Sequence, residues 1–237
     1  MPVDRKYILH IDTASDRGMV MLAYDENIVA VRLNTEPMQH AAFVQPAIAA
    51  VMQEAGIYST QIKAVAVANG PGSYTGLRVG LAAAKGICFA WSLPLITLSS
   101  LQIMAKAVQG ANSINFASDQ GVEVLYAALI DARRMEVFYA VFNQDISAFL
   151  EGPKAAEVDQ SFLKDYFSIR HLVCTGNGCR KWLNLLDSEK VSYTELPSTE
   201  LAFAKLAKDA YDKHDFADLA YSEPFYTKSF YSTVKMA

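Results

Sequence analysis

Residues 62–80 read IKAVAVANGPGSYTGLRVG: a run of small apolar residues, a glycine-rich loop and the start of a second apolar segment. The continuous apolar run at 62–68 is typical of a strand that is buried on both faces of a parallel sheet. We expect a loop over 69–74 and a helix over about 75–91, because glycine and proline interrupt the strand pattern. A strand, a loop and a helix in this order indicate an α/β fold.

The segments on either side extend this pattern. In the first half, the expected elements are strands at 6–11, 18–24, 28–34 and 95–98 and helices at 40–55 and 99–108. The second half repeats the order loosely, with strands at 122–130, 135–142 and 171–175 and a helix at 198–213. We therefore predict two related α/β lobes, residues 1–108 and 109–237. The second lobe is expected to be smaller and degraded, with a polar boundary at 109–121 and a tail that packs back.

The composition excludes several classes of protein. Of the 237 residues, 52% are hydrophobic and 19% are charged, which predicts a buried core and argues against disorder. The net charge of -4 gives no global attraction for nucleic acid, so RNA contact needs a local basic patch or a more basic partner. The longest apolar tract, 79–95, is interrupted by Lys85, Ser92 and Pro94, and the first residues lack a long apolar run. We expect a soluble, cytoplasmic protein without membrane contact.

Asp12 and Thr13 follow the first predicted strand and are the first candidates for chemistry. A carboxylate at a strand end, beside a hydroxyl, can hold a metal-bound phosphate through water. The alternative is an Asx turn that begins a hairpin, and taken alone these two residues favour that turn. The phosphate loop that they predict is at most a residual one.

The glycine-rich loop before the second helix allows two interpretations. A loop between a buried strand and a helix N-terminus aims backbone N–H groups at an anion. Close packing of the strand against the helix also needs small residues. The spacing of Gly70, Gly72 and Gly76 fits neither a P-loop, which needs a following lysine, nor the dinucleotide-binding pattern.

Small residues recur at helical spacing beyond this loop. Gly76, Gly80 and Ala84 lie four residues apart, with Ala83 beside them, so another helix can approach closely. Packing within the chain accounts for such a stripe, but the helix is apolar almost all round, and that favours a subunit interface.

Metal and hydrolase sites lack their sequence patterns. His40 would need a second ligand three or four residues later in its helix, where Phe43 and Val44 stand, and the other histidines are isolated. The cysteines, Cys88, Cys174 and Cys179, lack zinc-site spacing and are expected to be buried thiols. No serine lies in a Gly-x-Ser-x-Gly elbow. We expect no metal and no catalytic residue.

A resemblance to a known family rests on several segments taken together. In chain order these are ILHIDTA at 8–14, His40 before a helix that contains Pro46, GPGSYTGLRVG at 70–80, AKG at 84–86, LSSL at 98–101 and DARRMEV at 131–137. Together they resemble the TsaB (YeaZ) family, bacterial accessory proteins of tRNA threonylcarbamoyladenosine biosynthesis. The resemblance covers about 7–140 and is looser beyond.

The resemblance implies an actin/sugar-kinase/Hsp70-like (ASKHA, RNase H-like) fold of two duplicated lobes. It also implies a non-catalytic scaffold subunit that pairs with TsaD, the paralogous subunit that transfers a threonylcarbamoyl group to the adenosine beside the anticodon. The small ATPase TsaE joins this complex, tRNA is contacted only through the complex, and no cofactor is implied. Residues 176–178, Gly-Asn-Gly, are then the remnant of a nucleotide loop.

The partner surface follows from the same resemblance. The two helices of the first lobe are expected to form a bundle with the matching pair of the paralogue, or with a second copy when the chain is alone. The predicted interface residues are His40, Ala42, Ala49, Gly76, Gly80, Ala83 and Ala84.

Two other functions stay open from the residues. A stand-alone ATPase or kinase of the same fold needs an acidic residue in a second phosphate loop, and no acid stands beside 176–178 in the sequence. A glycoprotease-like peptidase lacks a ligand pair.

Overall fold

A computed structural model describes residues 5–34, 36, 39–112, 123–168, 170–186 and 188–227. The first half forms a five-stranded sheet in the order β3-β2-β1-β4-β5, in which β1 is antiparallel to β2 and parallel to β4. Its elements are β1 (Tyr7–Asp12), β2 (Gly18–Tyr24), β3 (Asn27–Asn34), α1 (His40–Ala55), β4 (Ile62–Ala68), α2 (Tyr74–Trp91), β5 (Leu95–Leu98) and α3 (Ser100–Asn112).

The second half repeats the same order of elements. Its sheet has the order β10-β9-β6-β7-β8, with β6 antiparallel to β7 and parallel to β9, as β1 is to β2 and β4. The elements are β6 (Val124–Asp131), β7 (Glu136–Phe142), β8 (Phe149–Glu157), α4 (Lys164–Phe167), β9 (His171–Thr175), α5 (Cys179–Leu183), β10 (Val191–Tyr193) and α6 (Glu200–Asp212). The predicted α/β fold of two duplicated lobes is confirmed.

Each lobe lends its last helix to the other lobe. Helices α1 and α2 cover one face of the first sheet, whereas α6 covers the opposite face through residues such as Phe203 and Ala207. In the second lobe, α4 and α5 cover one face around Trp182, and α3 covers the other through Leu101 and Val108. Neither sheet would be buried on both faces by its own half of the chain.

This exchange corrects the predicted boundary between the lobes. The proposed division after residue 108 falls inside α3, which continues to Asn112 and packs on the second sheet. The rest of the predicted boundary segment, 113–121, lies outside the described residues. A single cut in the chain therefore cannot separate the residues of one core from those of the other.

Residues 217–227 form a strap along the first lobe. The N–H of Ala217 donates to the carbonyl of Leu95, and the N–H of Phe225 donates to the carbonyl of Asn69. Between these points, the Lys85 ammonium donates to two strap carbonyls, those of Ala220 and Ser222. The strap thus runs antiparallel to α2.

The helices of the described ranges are all too short or too polar to cross a membrane.

Candidate functional site

Asp12 ends β1 and closes the turn that follows it. The N–H of Ala14 donates to the Asp12 carboxylate over 2.9 Å, which is the Asx turn that the sequence offered as an alternative. Burial raises the pKa of Asp12, while the Ala14 N–H and the nearby His40 act in the opposite direction. A phosphate-binding role for Asp12 stays a prediction.

Thr13 is fully buried and its hydroxyl is engaged within the chain. The Thr13 Oγ1 donates to the carbonyl of Gly76, 2.7 Å away, at the first turn of α2. This bond ties the end of β1 to the helix. The hydroxyl therefore has its partner inside the protein rather than in a bound phosphate.

The glycine-rich loop packs directly on the turn after β1. The N–H of Ser73 donates to the carbonyl of Ala14 over 2.7 Å, and the N–H of Gly76 donates to the Ser73 hydroxyl over 3.2 Å. The N–H of Leu77 donates to the Ser73 carbonyl. These three donors are used internally, which favours close packing over an anion cradle as the role of the loop.

Two glycines of α2 show how close the packing is. A Cβ built on Gly76 would lie 2.0 Å from the Thr13 carbonyl oxygen, and one on Gly80 would lie 2.3 Å from Thr13 Oγ1. Both distances are far inside van der Waals contact. The small residues therefore let α2 approach β1 of the same lobe.

The predicted partner interface needs correction at four positions. Gly76, Gly80 and Ala84 are buried against the first sheet, so their side of α2 is not available to a second subunit. His40 is also buried, and a Cβ on Gly18 would lie 2.8 Å from its Nδ1. The reason is that the stripe faces inward, toward the first strand of its own lobe.

The other predicted interface residues are less deeply buried. Ala42 and Ala49 are exposed on α1, and Ala83 is half-buried on α2. Elsewhere on the surface of α2, Phe89 is 81% exposed. A partner surface formed by these two helices stays a prediction, but on their exposed side.

Asp131 is a candidate residue that the sequence analysis missed. It ends β6 as Asp12 ends β1, and both follow an isoleucine, Ile130 and Ile11. The Lys181 ammonium lies 2.6 Å from the Asp131 carboxylate. Partial burial works against ionisation, but Lys181 and the N–H of Arg133 outweigh it and lower the pKa of Asp131. The sequence did offer a signal for Asp131, because an Ile-Asp pair ends the first predicted strand of each half.

The Gly-Asn-Gly loop at 176–178 does have an acid beside it. Since β6 and β9 are neighbours, the N–H of Asp131 reaches Asn177 and donates to its Oδ1 over 2.8 Å. The sequence places no acid beside this loop, whereas the fold brings Asp131 to it from a distant part of the chain. The negative charge of Asp131 is nonetheless balanced by the Lys181 ammonium. Within the described residues, no cluster of three metal-ligating side chains occurs.

Comparison with known proteins gives concordant matches. Residues 36–160 match the model of the family described as TsaD, tRNA N6-adenosine threonylcarbamoyltransferase. The TsaB protein of Escherichia coli K12, described as a tRNA threonylcarbamoyladenosine biosynthesis protein, is 34% identical over 151 residues, which are 64% of this chain and 61% of that protein. The Haemophilus influenzae protein of the same description is 32% identical over 133 residues, 56% of this chain and 52% of that one.

These matches span less than two thirds of the curated relatives. The likeness to a solved structure is more extensive: YeaZ from Pseudomonas aeruginosa aligns with a TM-score of 0.74 over 93% of this chain and 99% of that one. Its sequence is 22% identical, so this likeness establishes the fold.

Proposed function

The chain carries a TsaD-type domain and belongs to the TsaB (YeaZ) family, and from that premise we propose that it is a non-catalytic subunit of a tRNA-modifying complex. The complex would transfer a threonylcarbamoyl group to the adenosine beside the anticodon, and TsaD would supply the catalytic site. We also propose that TsaE joins this complex and that the free chain forms a homodimer. The complex is proposed to act in the cytoplasm.

One observation carries the non-catalytic part of the proposal. The loop that should cradle a phosphate in the first lobe is closed onto the turn after β1, with the donors of Ser73 and Gly76 engaged by the chain itself. Opening it for a nucleotide would break these bonds and the Thr13–Gly76 bond together. The loop is thus built to hold α2 in place, which suits a scaffold.

The outer face of α1 and α2 is the surface we propose for the paralogous subunit. Exposed small residues, Ala42 and Ala49, allow the close approach of another helix, while Phe89 supplies apolar area. Aromatic side chains that are exposed in a free subunit are common anchors of protein interfaces. Because a homodimer would use the same face, the two assemblies should exclude each other.

Reconstitution tests the function directly. Transfer of the threonylcarbamoyl group to tRNA by the paralogue is measured with and without this chain, and we expect transfer to depend on it. Transfer that proceeds equally well without the chain would contradict the proposal.

Charged substitutions test the surface. Ala49→Arg and Phe89→Glu should leave the chain folded, because both positions are exposed, and should weaken the paralogue complex by tenfold or more (about 1.4 kcal/mol). Ala111→Arg, at an exposed alanine of α3, is the matched control. Binding is measured by calorimetry after circular dichroism confirms folding. Unchanged binding by both variants would place the interface elsewhere.

A stand-alone ATPase is the second candidate, and Asp131 favours it. Two acids at equivalent strand ends, Asp12 and Asp131, are the arrangement that a phosphate-binding cleft of this kind would need. ATP turnover by the free chain, abolished by Asp131→Asn and by Asp12→Asn, would support this function. We expect turnover at background instead, since Lys181 already pairs with Asp131.

A further inference from the structure

Four arginines of the chain have no ionic, hydrogen-bonding or cation–π partner for their side chains within the described ranges: Arg17, Arg133, Arg134 and Arg180. The remaining arginines are engaged, as Arg32 is by Glu54 and Arg170 by Glu123. All four lie on the surface. Two of them, Arg133 and Arg134, are in the turn between β6 and β7, and Arg180 precedes Lys181, which bonds to both ends of that turn.

The hairpin displays its arginines in an uncommon backbone conformation. Arg133 has a φ of 68° and Arg134 a φ of 48°, so two consecutive residues are left-handed. Side chains with a Cβ rarely adopt this region, and asparagine or glycine is usual at such a turn. Two consecutive exposed arginines in a conformation that disfavours them point to a function for these residues.

Lys181 and Asn177 hold the two ends of the hairpin turn in place. The Lys181 ammonium bonds to the Asp131 carboxylate, 2.6 Å away, and to the carbonyl of Glu136, 3.3 Å away, so it joins both ends of the loop. Asn177 holds the N–H of Asp131. A braced loop loses little conformational freedom when its exposed side chains bind a ligand.

The charge of this place is positive at the tip. Asp131 is neutralised by Lys181, so it does not cancel the three arginines. Against these three arginines stand Glu136, which begins β7 directly after the turn, and Glu157, its partner in register on β8, so a net positive charge remains at the tip. In a chain with a net charge of -4, the tip and Arg180 form a local basic patch, here called the arginine patch: Arg133, Arg134 and Arg180.

We infer that the arginine patch binds the phosphate backbone of RNA, and that it is the direct contact of this chain with tRNA in the complex. This inference rests on the proposed function. It refines the expectation that tRNA is contacted only through the complex, because it names the surface of this chain that takes part. Exposed guanidinium groups on a projecting hairpin suit a long phosphate chain, since a single nucleotide needs a concave site.

The salt dependence of binding tests the inference. Each phosphate neutralised by an arginine contributes about 0.7 to 0.9 to the slope of log K against log salt concentration. The affinity of the complex of this chain with its paralogue for a fluorescent tRNA transcript is measured between about 50 and 200 mM KCl by anisotropy. Replacing the three arginines together by glutamine should make the slope shallower by about 2 to 3.

Two variants provide matched controls. Arg17→Gln removes an exposed arginine from the corresponding loop of the first lobe, and it should leave the slope unchanged. Arg134→Lys keeps the charge and should keep the slope. An unchanged slope in the triple variant, or an equal loss from Arg17→Gln, would overturn the inference.

The same samples separate this inference from the function beneath it. Weaker binding of the triple variant to the paralogue, with an unaltered affinity for tRNA, would show that the patch meets an acidic protein surface and would also overturn the inference. Modification that depends on the chain, together with an unaltered slope, would reject the patch and leave the proposed function standing. Modification that does not depend on the chain would reject the function.

Discussion

The two lobes end their first strands in the same residue and use it in opposite ways. In the first lobe, Asp12 turns inward, accepts the N–H of Ala14, and is covered by a loop that packs against it. In the second lobe, Asp131 faces an ammonium group, and the loop beyond it carries arginines to the surface. One duplicated framework has thus become a closed packing site in one copy and an open charged hairpin in the other.

The difference follows from the helix that meets each strand end. Helix α2 approaches β1 through Gly76 and Gly80, which bring the helix backbone against Thr13. Helix α5 is short and presents Lys181 to Asp131 instead. Small residues exclude solvent and charge, whereas a lysine keeps the site partly hydrated.

One added methyl group at Gly76 should disrupt the packing of α2 against the end of β1. Gly76→Ala would place a Cβ 2.0 Å from the Thr13 carbonyl oxygen, a backbone atom that cannot move freely. We expect a loss of about 3 kcal/mol or more in the free energy of unfolding, the upper end of overpacking costs. Urea denaturation at neutral pH measures it.

Gly86→Ala on the same helix is the matched control. A Cβ there meets nothing within 4 Å, so this variant should gain about 0.5 to 1 kcal/mol from helix propensity. Equal behaviour of the two variants would contradict close packing at Gly76.

The first lobe should lose stability in mild acid. His10 lies two residues before Asp12, is fully buried against Phe203, and has its pKa lowered by burial from 6.5 to about 4. Below pH 6.5 His10 is therefore protonated in the unfolded chain, whereas in the folded chain it becomes protonated only near pH 4. The free energy of unfolding should fall by about 2 kcal/mol between pH 7 and pH 5.

His10→Leu isolates this effect, because Leu129 is the residue two positions before Asp131 in the second lobe. The variant makes the two strands alike at this position and should lose most of the decrease between pH 7 and pH 5. Asp12, whose pKa is raised by burial, acts in the opposite direction at lower pH and is present in both proteins. An identical pH dependence in wild type and variant would refute the role of His10.

The charged pair of the second lobe should matter least to stability. The side chains of Lys181 and Asp131 are 20% and 38% exposed, so the pair is screened, and Lys181→Met should cost about 1 kcal/mol or less. The pKa of Asp131 should rise toward its ordinary value, which NMR titration follows. A pKa that stays low in the variant would show that Lys181 does not control Asp131.

Several elements could be predicted because their signal is local. Helix α1 was predicted with its observed bounds, since an apolar period ends at Gly56, which adopts the left-handed cap. Strand β9 was also placed at its observed residues, as a continuous apolar run. Strands β8 and β10 were missed because they are edge strands without a buried apolar run, and residues 152–153 of β8 are Gly-Pro.

Sequence alone thus determined the duplicated α/β order and the family, because strand and helix periods and a motif of eleven residues at 70–80 are properties of neighbouring residues. Only the tertiary structure decided that α3 and α6 exchange lobes, that the Gly76–Gly80–Ala84 stripe faces inward, and that Asp131 meets Asn177 and Lys181. Each of these depends on which distant elements pack together. A period of 3.6 residues shows that a helix has an apolar face, but what covers that face is decided by burial summed over the whole chain.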